Sequence, residues 1–370
     1  MRIDSFVMER MQSIWENQVE INLSESGVHP LTVGELLETD ADRARMLEVA
    51  LGYPQTNGTL ALRTAIAAMY PDATPSHIHV TNGGSEANFC STWSLLEPGD
   101  EVVMMAPNYM QTWGLARAFA GTLREWPLRE HDGKWRPDVD ELATLLTPKT
   151  KLLLICNPNN PTGARFGAAD LDAICRAASR HGTWVLSDEI YRGAELDGVE
   201  TPSIWGRYER AFVTCGLSKA YGLPGLRIGW IVGPPAFVET TWAYHDYTSI
   251  APGAINDRLA AFALQPAQRA RILGRTRGIL RANFPALGDW LSARPDMFSF
   301  IPPEAGAIVY VRYLRAVNSS ALTNRLREQR GVLIVPGDQF GMDGYLRIGF
   351  GGPAAALQEG LRRLEGLLRA

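Results

Sequence analysis

Residues 215–230 read CGLSKAYGLPGLRIGW. One amine, Lys219, stands there among glycines and apolar side chains, and the guanidinium of Arg227 follows eight positions later. Lysine and arginine ordinarily seek water, so a chain that surrounds them with small apolar residues holds them for something other than solubility. The stretch lies between two apolar runs, RAFVTCG (210–216) and LRIGWIVG (226–233). Toward the amino terminus stand four more: HIHVTN (77–82), EVVMMAP (101–107), KLLLICN (151–157) and TWVLSD (183–188). Helical patterns separate several of them, as in SEANFCSTWSLL (85–96), DVDELATLL (138–146) and AADLDAICRAASRHG (168–182). Short apolar runs that alternate with helices predict an α/β domain whose mostly parallel sheet is covered on both faces.

That large domain is expected over residues 45–265. Beyond it come a long Arg-rich helical stretch (266–291), the strand-like runs AIVYVRY (307–313), GVLIVPG (331–337) and YLRIGFG (345–351), and a closing helix. They predict a smaller α+β domain built from residues 1–44 and 266–370. A chain of 370 residues with 46% hydrophobic and 21% charged content has material for two such cores.

Net charge is −4, which gives no basic footprint for nucleic acid or for an anionic membrane. The start, MRIDSFVMERMQSIWE, mixes acids with apolar residues and reads as an amphipathic helix, neither a signal peptide nor a transit sequence. No apolar run approaches the roughly 20 residues that a bilayer requires. Cys90, Cys156, Cys175 and Cys215 form no C-x-x-C pair and read as reduced thiols of a cytoplasmic protein. The six histidines lie far apart without metal-binding spacing, so no metal is expected.

Open parallel sheets bind ligands at the carboxyl ends of their strands. After the first run comes NGGSEAN (82–88), where Gly83 and Gly84 permit a tight turn and Ser85 opens a helix whose free amides suit a phosphate. After the third comes NPNNPTG (157–163), with Asn160 held between prolines. The fourth ends in SDEIY, presenting Asp188 and Tyr191; the fifth runs into Ser218 and Lys219, and Arg227 stands at the sixth. An anion cradle, an amide, a carboxylate, a phenol, an amine and a guanidinium would converge on one crevice. Pyridoxal 5'-phosphate calls for that set: a lysine for its aldehyde, a carboxylate to keep its ring nitrogen protonated, hydrogen-bond donors (Asn160, Tyr191) for its ring oxygen, and amides with an arginine for its phosphate.

With these residues in order, the chain resembles the class I/II aminotransferases of the aspartate aminotransferase type, the fold type I pyridoxal-phosphate enzymes. The resemblance runs from about residue 20 to the end, through NPNNPTG, SDEIY, LSKAYGLPGLRIGW and YLRIGFG. It implies a sheet of the seven-stranded type and a site in which Lys219 carries the cofactor and moves the substrate's α-proton. Asp188, Asn160 and Tyr191 hold the cofactor ring, while Gly84, Ser85, Glu86, Ser218 and Arg227 hold its phosphate. Tyr109 in APNYMQTW resembles the aromatic that stacks on the ring, and Arg347 in YLRIG the arginine that grips the α-carboxylate beside Asn160. Tyr53 in GYPQTNGTLALR resembles a tyrosine that reaches the neighbouring subunit's phosphate, which implies a homodimer with shared sites. The chain departs from the pattern at Gly216, where the family usually has a hydroxyl residue.

The implied reaction is conversion of an L-amino acid to a keto acid. The stretch LSESGVHPLTVGEL (23–36) is also similar to capreomycidine synthases, which dehydrate and cyclise a hydroxylated arginine. On that alternative, Glu25 pairs with a substrate guanidinium, His29 acts as an acid or base near the leaving group, and Gly27 lies in the same substrate-binding loop. A ligand-sensing domain of this architecture would lack the lysine or carry a DNA-binding module, and neither is seen.

Overall fold

The computed structural model describes residues 2–369. Its larger sheet has seven strands: β1 (Ile78–Thr81), β2 (Glu101–Ala106), β3 (Thr122–Pro127), β4 (Thr150–Cys156), β5 (Trp184–Asp188), β6 (Ala211–Gly216) and β7 (Gly229–Val232). They lie in the order β1-β7-β6-β5-β4-β2-β3. The pairs from β6 through to β3 are parallel, whereas β7 runs antiparallel to β1 and β6 on either side. The sheet is mixed but mostly parallel, as the apolar runs predict. The seventh strand, β3, escapes a reading of apolar runs because its sequence is TLREWP. It is an edge strand, paired with β2 alone, and its charged residues sit where an unpaired edge needs them.

Continuous apolar runs are explained by burial on both faces. Along β4, Leu152 and Leu154 enter one apolar cluster with Val102, Leu186 and Phe212, while Leu153 and Ile155 enter another with Val103, Val185 and Val213. Each strand thus holds helices against both faces of the sheet. The register also sets the site: β4, β5 and β6 end at one edge, β1 ends there too, and antiparallel β7 begins there.

Four further strands, β8 (Phe298–Phe300), β9 (Ile308–Tyr313), β10 (Val335–Pro336) and β11 (Tyr345–Gly349), form an antiparallel sheet in the order β8-β9-β11-β10. The GVLIVPG run is not one strand. Val332–Leu333 pairs in parallel with Ile21–Asn22, and Val335–Pro336 joins the small sheet. That short pair fastens the chain's first segment to its last. Three helices matter below: α1 (Val7–Trp15), α2 (Gly84–Leu95) and the 27-residue α3 (Pro266–Ser292). Among the described residues, no helix is long and apolar enough to cross a membrane.

Candidate active site

At the shared edge lies a cavity of about 270 Å³ whose wall includes Gly84, Ser85, Tyr109, Asn160, Asp188, Tyr191, Ser218, Lys219, Arg227 and Arg347. Its floor is an anion cradle. Gly83 takes a φ of 91°, and a Cβ there would overlap the guanidinium of Arg227. Gly229, the first residue of β7, carries no side chain because the Gly83–Gly84 backbone fills the space. Arg227 itself adopts the left-handed conformation, with φ of 48°, just after a short 3-10 turn and before β7. Its Nη1 donates to Pro224 O at 3.1 Å and lies 3.5 Å from Ser218 Oγ. The first amides of α2 have no acceptor within the helix, so they, Arg227 and the Ser218 hydroxyl face the same space.

Asp188 closes β5. Its Oδ2 accepts from Asn88 Nδ2 at 3.2 Å and its Oδ1 from the Ile190 amide at 3.1 Å. Withdrawal from water pushes this carboxyl up to about 6, against the pull of those two hydrogen bonds. A carboxyl so placed is poised to accept a buried cationic N–H. Tyr191, buried, donates from its hydroxyl to Ser26 Oγ at 2.9 Å. Tyr109 donates to Glu9 Oε1 at 2.8 Å and meets the ring of Phe6 edge-on at 5.1 Å.

Arg347, in β11, is 1% exposed. Its Nη1 donates to Asn160 Oδ1 at 2.9 Å and its Nη2 to Ser24 O at 2.5 Å, while its Nε has no partner among the described residues. A buried guanidinium whose Nε has no partner calls for an acceptor. Lys219 Nζ donates to Glu25 Oε1 at 2.7 Å. Burial works to lower the lysine, yet Glu25 holds it above its ordinary value. Burial works to raise Glu25, but Lys219 and the Gly27 amide hold it down at about 2.

Other predicted residues lie elsewhere. The Glu86 carboxylate turns away from the cavity, accepting from the Asn82 amide at 2.6 Å and Ser249 Oγ at 2.7 Å, with His245 Nε2 at 3.1 Å. Gly27 donates its amide to Glu25 Oε1 at 2.8 Å. His29 is exposed and its Nδ1 sits 3.1 Å from Gly351 O, outside the cavity wall. Tyr53 is 84% exposed and borders a separate surface groove. Gly216 has a steric reason: a Cβ there would stand 2.8 Å from Ile228 O and 3.1 Å from Gly229 Cα, so a hydroxyl side chain does not fit.

The sequence reading missed Asn88, Ser26, and the wall that α1 supplies through Met8, Glu9 and Gln12. Asn88 had a signal, since it follows Ser85 by one helical turn and shares its face. The α1 residues had none beyond amphipathicity, because what that helix covers depends on tertiary packing.

These donors fit pyridoxal phosphate group by group. The wall of Gly84, Ser85, Ser218 and Arg227 suits its phosphate, the raised Asp188 its ring nitrogen, Lys219 its aldehyde, and the unpartnered Arg347 Nε a substrate carboxylate. Residues 20–364 match the family model described as aminotransferase class I and II. Capreomycidine synthase of Streptomyces vinaceus is 32% identical, over 94% of this chain and 90% of that protein. Aspartate aminotransferase of Streptomyces avermitilis is 29% identical, over 86% and 80%. A pyridoxal-phosphate-dependent aminotransferase from Streptococcus suis 89-1591 superposes with a TM-score of 0.93 at 32% identity, covering 100% of this chain and 98% of that one. The chain therefore belongs to the class I and II aminotransferases, the pyridoxal-phosphate-dependent enzymes of fold type I.

Proposed function

We propose that this enzyme transfers the amino group of an L-amino acid to a keto acid acceptor. The observation that carries the reading is the arrival of Lys219, Asp188 and Arg347 on one cavity from three separate elements. Bound there, pyridoxal phosphate supplies an electrophilic carbon and an electron sink. The chain's residues do the rest. The unpartnered Nε of Arg347 and its neighbour Asn160 orient the substrate carboxylate. Asp188, aimed by Asn88, keeps a cationic ring nitrogen charged. Lys219 Nζ takes the proton from the substrate α-carbon and hands it on along the same face. Ser85, Ser218 and Arg227 anchor the phosphate, Tyr191 the ring oxygen, and Tyr109 packs on the ring.

The division into a large domain, 45–265, and a small one, 1–44 with 266–370, is part of the same reading, because α1 and β11 then reach the cavity from outside the large domain. So is a homodimer with shared sites. Tyr53, 84% exposed, lines a surface groove, and Leu47 and Leu51, 89% and 82% exposed, belong to the same stretch of chain, an apolar area that a second copy would cover. Four free, buried cysteines suit a cytoplasmic protein.

A second reading, dehydration and cyclisation of an arginine derivative, is favoured by Glu25, a carboxylate bonded to Lys219, and by the likeness to capreomycidine synthase. Glu25 lies outside the cavity wall but bonds Lys219; His29, also outside it, is exposed, bonds Gly351 O instead and is left out. Both readings are tested by incubating the loaded enzyme with a panel of amino acids, arginine and its hydroxylated forms included, and weighing the products. A keto acid supports transamination. Loss of water with the amino group retained overturns it in favour of the cyclase.

A further inference from the structure

Glu25 sits in the segment Ser24–Gly27, which runs between Arg347 and Tyr191 and puts Ser26 in the cavity wall: Ser24 O accepts from Arg347 Nη2 and Ser26 Oγ from the Tyr191 hydroxyl. Within it, one oxygen of Glu25 takes three donors, the amides of Ser26 and Gly27 at 2.8 Å each and Lys219 Nζ at 2.7 Å. The two amides fix the carboxylate to the backbone, so it does not swing out to follow a ligand. A group meant to clamp a substrate side chain would keep its oxygens free; this one spends its best-ordered oxygen on the lysine.

We propose that Glu25 is the counter-ion that keeps Lys219 Nζ protonated and in place. It is a positioning residue: it acts through the lysine rather than on the substrate. When Nζ is free, the carboxylate keeps it cationic and aimed across the cavity. The pair keeps its opposite charges together, so neither ion stands alone. The other charged or titratable groups near the pair are Tyr191 and Arg347, with Glu16 at the end of α1 and Glu9 beside Glu16. Arg347 opposes a cation on Nζ, which makes the Glu25 carboxylate the group that holds the proton there.

The inference rests on Lys219 being the cofactor lysine, and its test keeps the two apart. The pH midpoint of the visible absorbance band of the cofactor-loaded protein is measured without substrate in wild type, Glu25→Gln and Glu25→Asp. Gln retains an oxygen for the Ser26 and Gly27 amides, so the segment keeps its shape. A carboxylate stabilises the protonated, cationic form of the lysine nitrogen, so its loss moves the midpoint down, by about one to three pH units for a partner in direct contact. Glu25→Asp recovers part of that shift. In steady state Glu25→Gln lowers kcat and leaves KM for the amino acid near its wild-type value. A band present in wild type and unmoved in Glu25→Gln overturns the proposal alone. No pH-dependent band in wild type overturns the cofactor role of Lys219 and the proposal with it. A KM rise confined to cationic substrates, with the band unmoved, makes Glu25 a substrate clamp instead.

Discussion

Asn88 holds Asp188 in a fixed attitude: its amide nitrogen donates to Asp188 Oδ2 at 3.2 Å while its oxygen accepts from the Thr214 hydroxyl at 2.7 Å. The bond to Thr214 decides which end of the amide faces the carboxylate, so Asp188 meets a donor that favours its ionised form. Because that hydrogen bond lowers the Asp188 pKa, Asn88→Ala raises it further above its value of about 6, and the acid limb of kcat moves to higher pH. A hydrogen bond to a charged group is worth about 1.5–3 kcal/mol, so kcat falls by roughly 10- to 150-fold. A pH–rate profile of the variant reads both effects.

Arg347 offers a planar fork that a lysine does not reproduce. Arg347→Lys keeps the charge but loses the second donor, and KM for the amino acid rises by about 10-fold or more, one charge-assisted hydrogen bond's worth. Steady-state kinetics on the amino acid that turns over best measures it. An unchanged KM would place the substrate carboxylate elsewhere.

Gly216 invites a repair that the structure predicts will fail. Gly216→Ser restores the hydroxyl usual in the family, but its Cβ meets Ile228 O at 2.8 Å. Overpacking of this kind costs about 1–3 kcal/mol. The variant therefore melts at lower temperature and binds cofactor no more tightly, as thermal denaturation and a cofactor titration followed by absorbance will report.

Beneath the phosphate turn, buried His79 lies 3.1 Å from His245 Nδ1 and 3.1 Å from Thr241 Oγ1. Burial, and then the neighbouring imidazole, lowers His79 from an ordinary 6.5 to about 3. Between those values the unfolded chain binds a proton that the folded chain refuses, so stability is lost as pH falls through that window. Unfolding midpoints should decline on acidification from 6.5 toward 3, and less steeply in His79→Gln. Equal slopes in the two proteins would assign the acid loss to other groups.

The strand ends carried most of the site in plain sight, because parallel topology forces the residues after β4, β5 and β6 to one edge, and Lys219, Asp188 and Asn160 follow from position alone. What was hidden depends on contacts across long separations. The partnership of Glu25 with Lys219 spans 194 positions, and no spacing rule connects them. Glu86 was legible as part of the turn but not as a carboxylate aimed backward, since its partners His245 and Ser249 come from a distant helix end. Edge strand β3 was invisible because exposure to solvent gives it the composition of a loop.

The claim on which the rest depends is that Lys219 Nζ bonds covalently to the cofactor. Borohydride reduction of the loaded protein, followed by proteolysis and mass spectrometry, tests it directly. The account predicts one reduced pyridoxyl adduct, on the peptide containing Lys219, and none in Lys219→Ala. An adduct on a different lysine, or none in the wild-type protein, would contradict it.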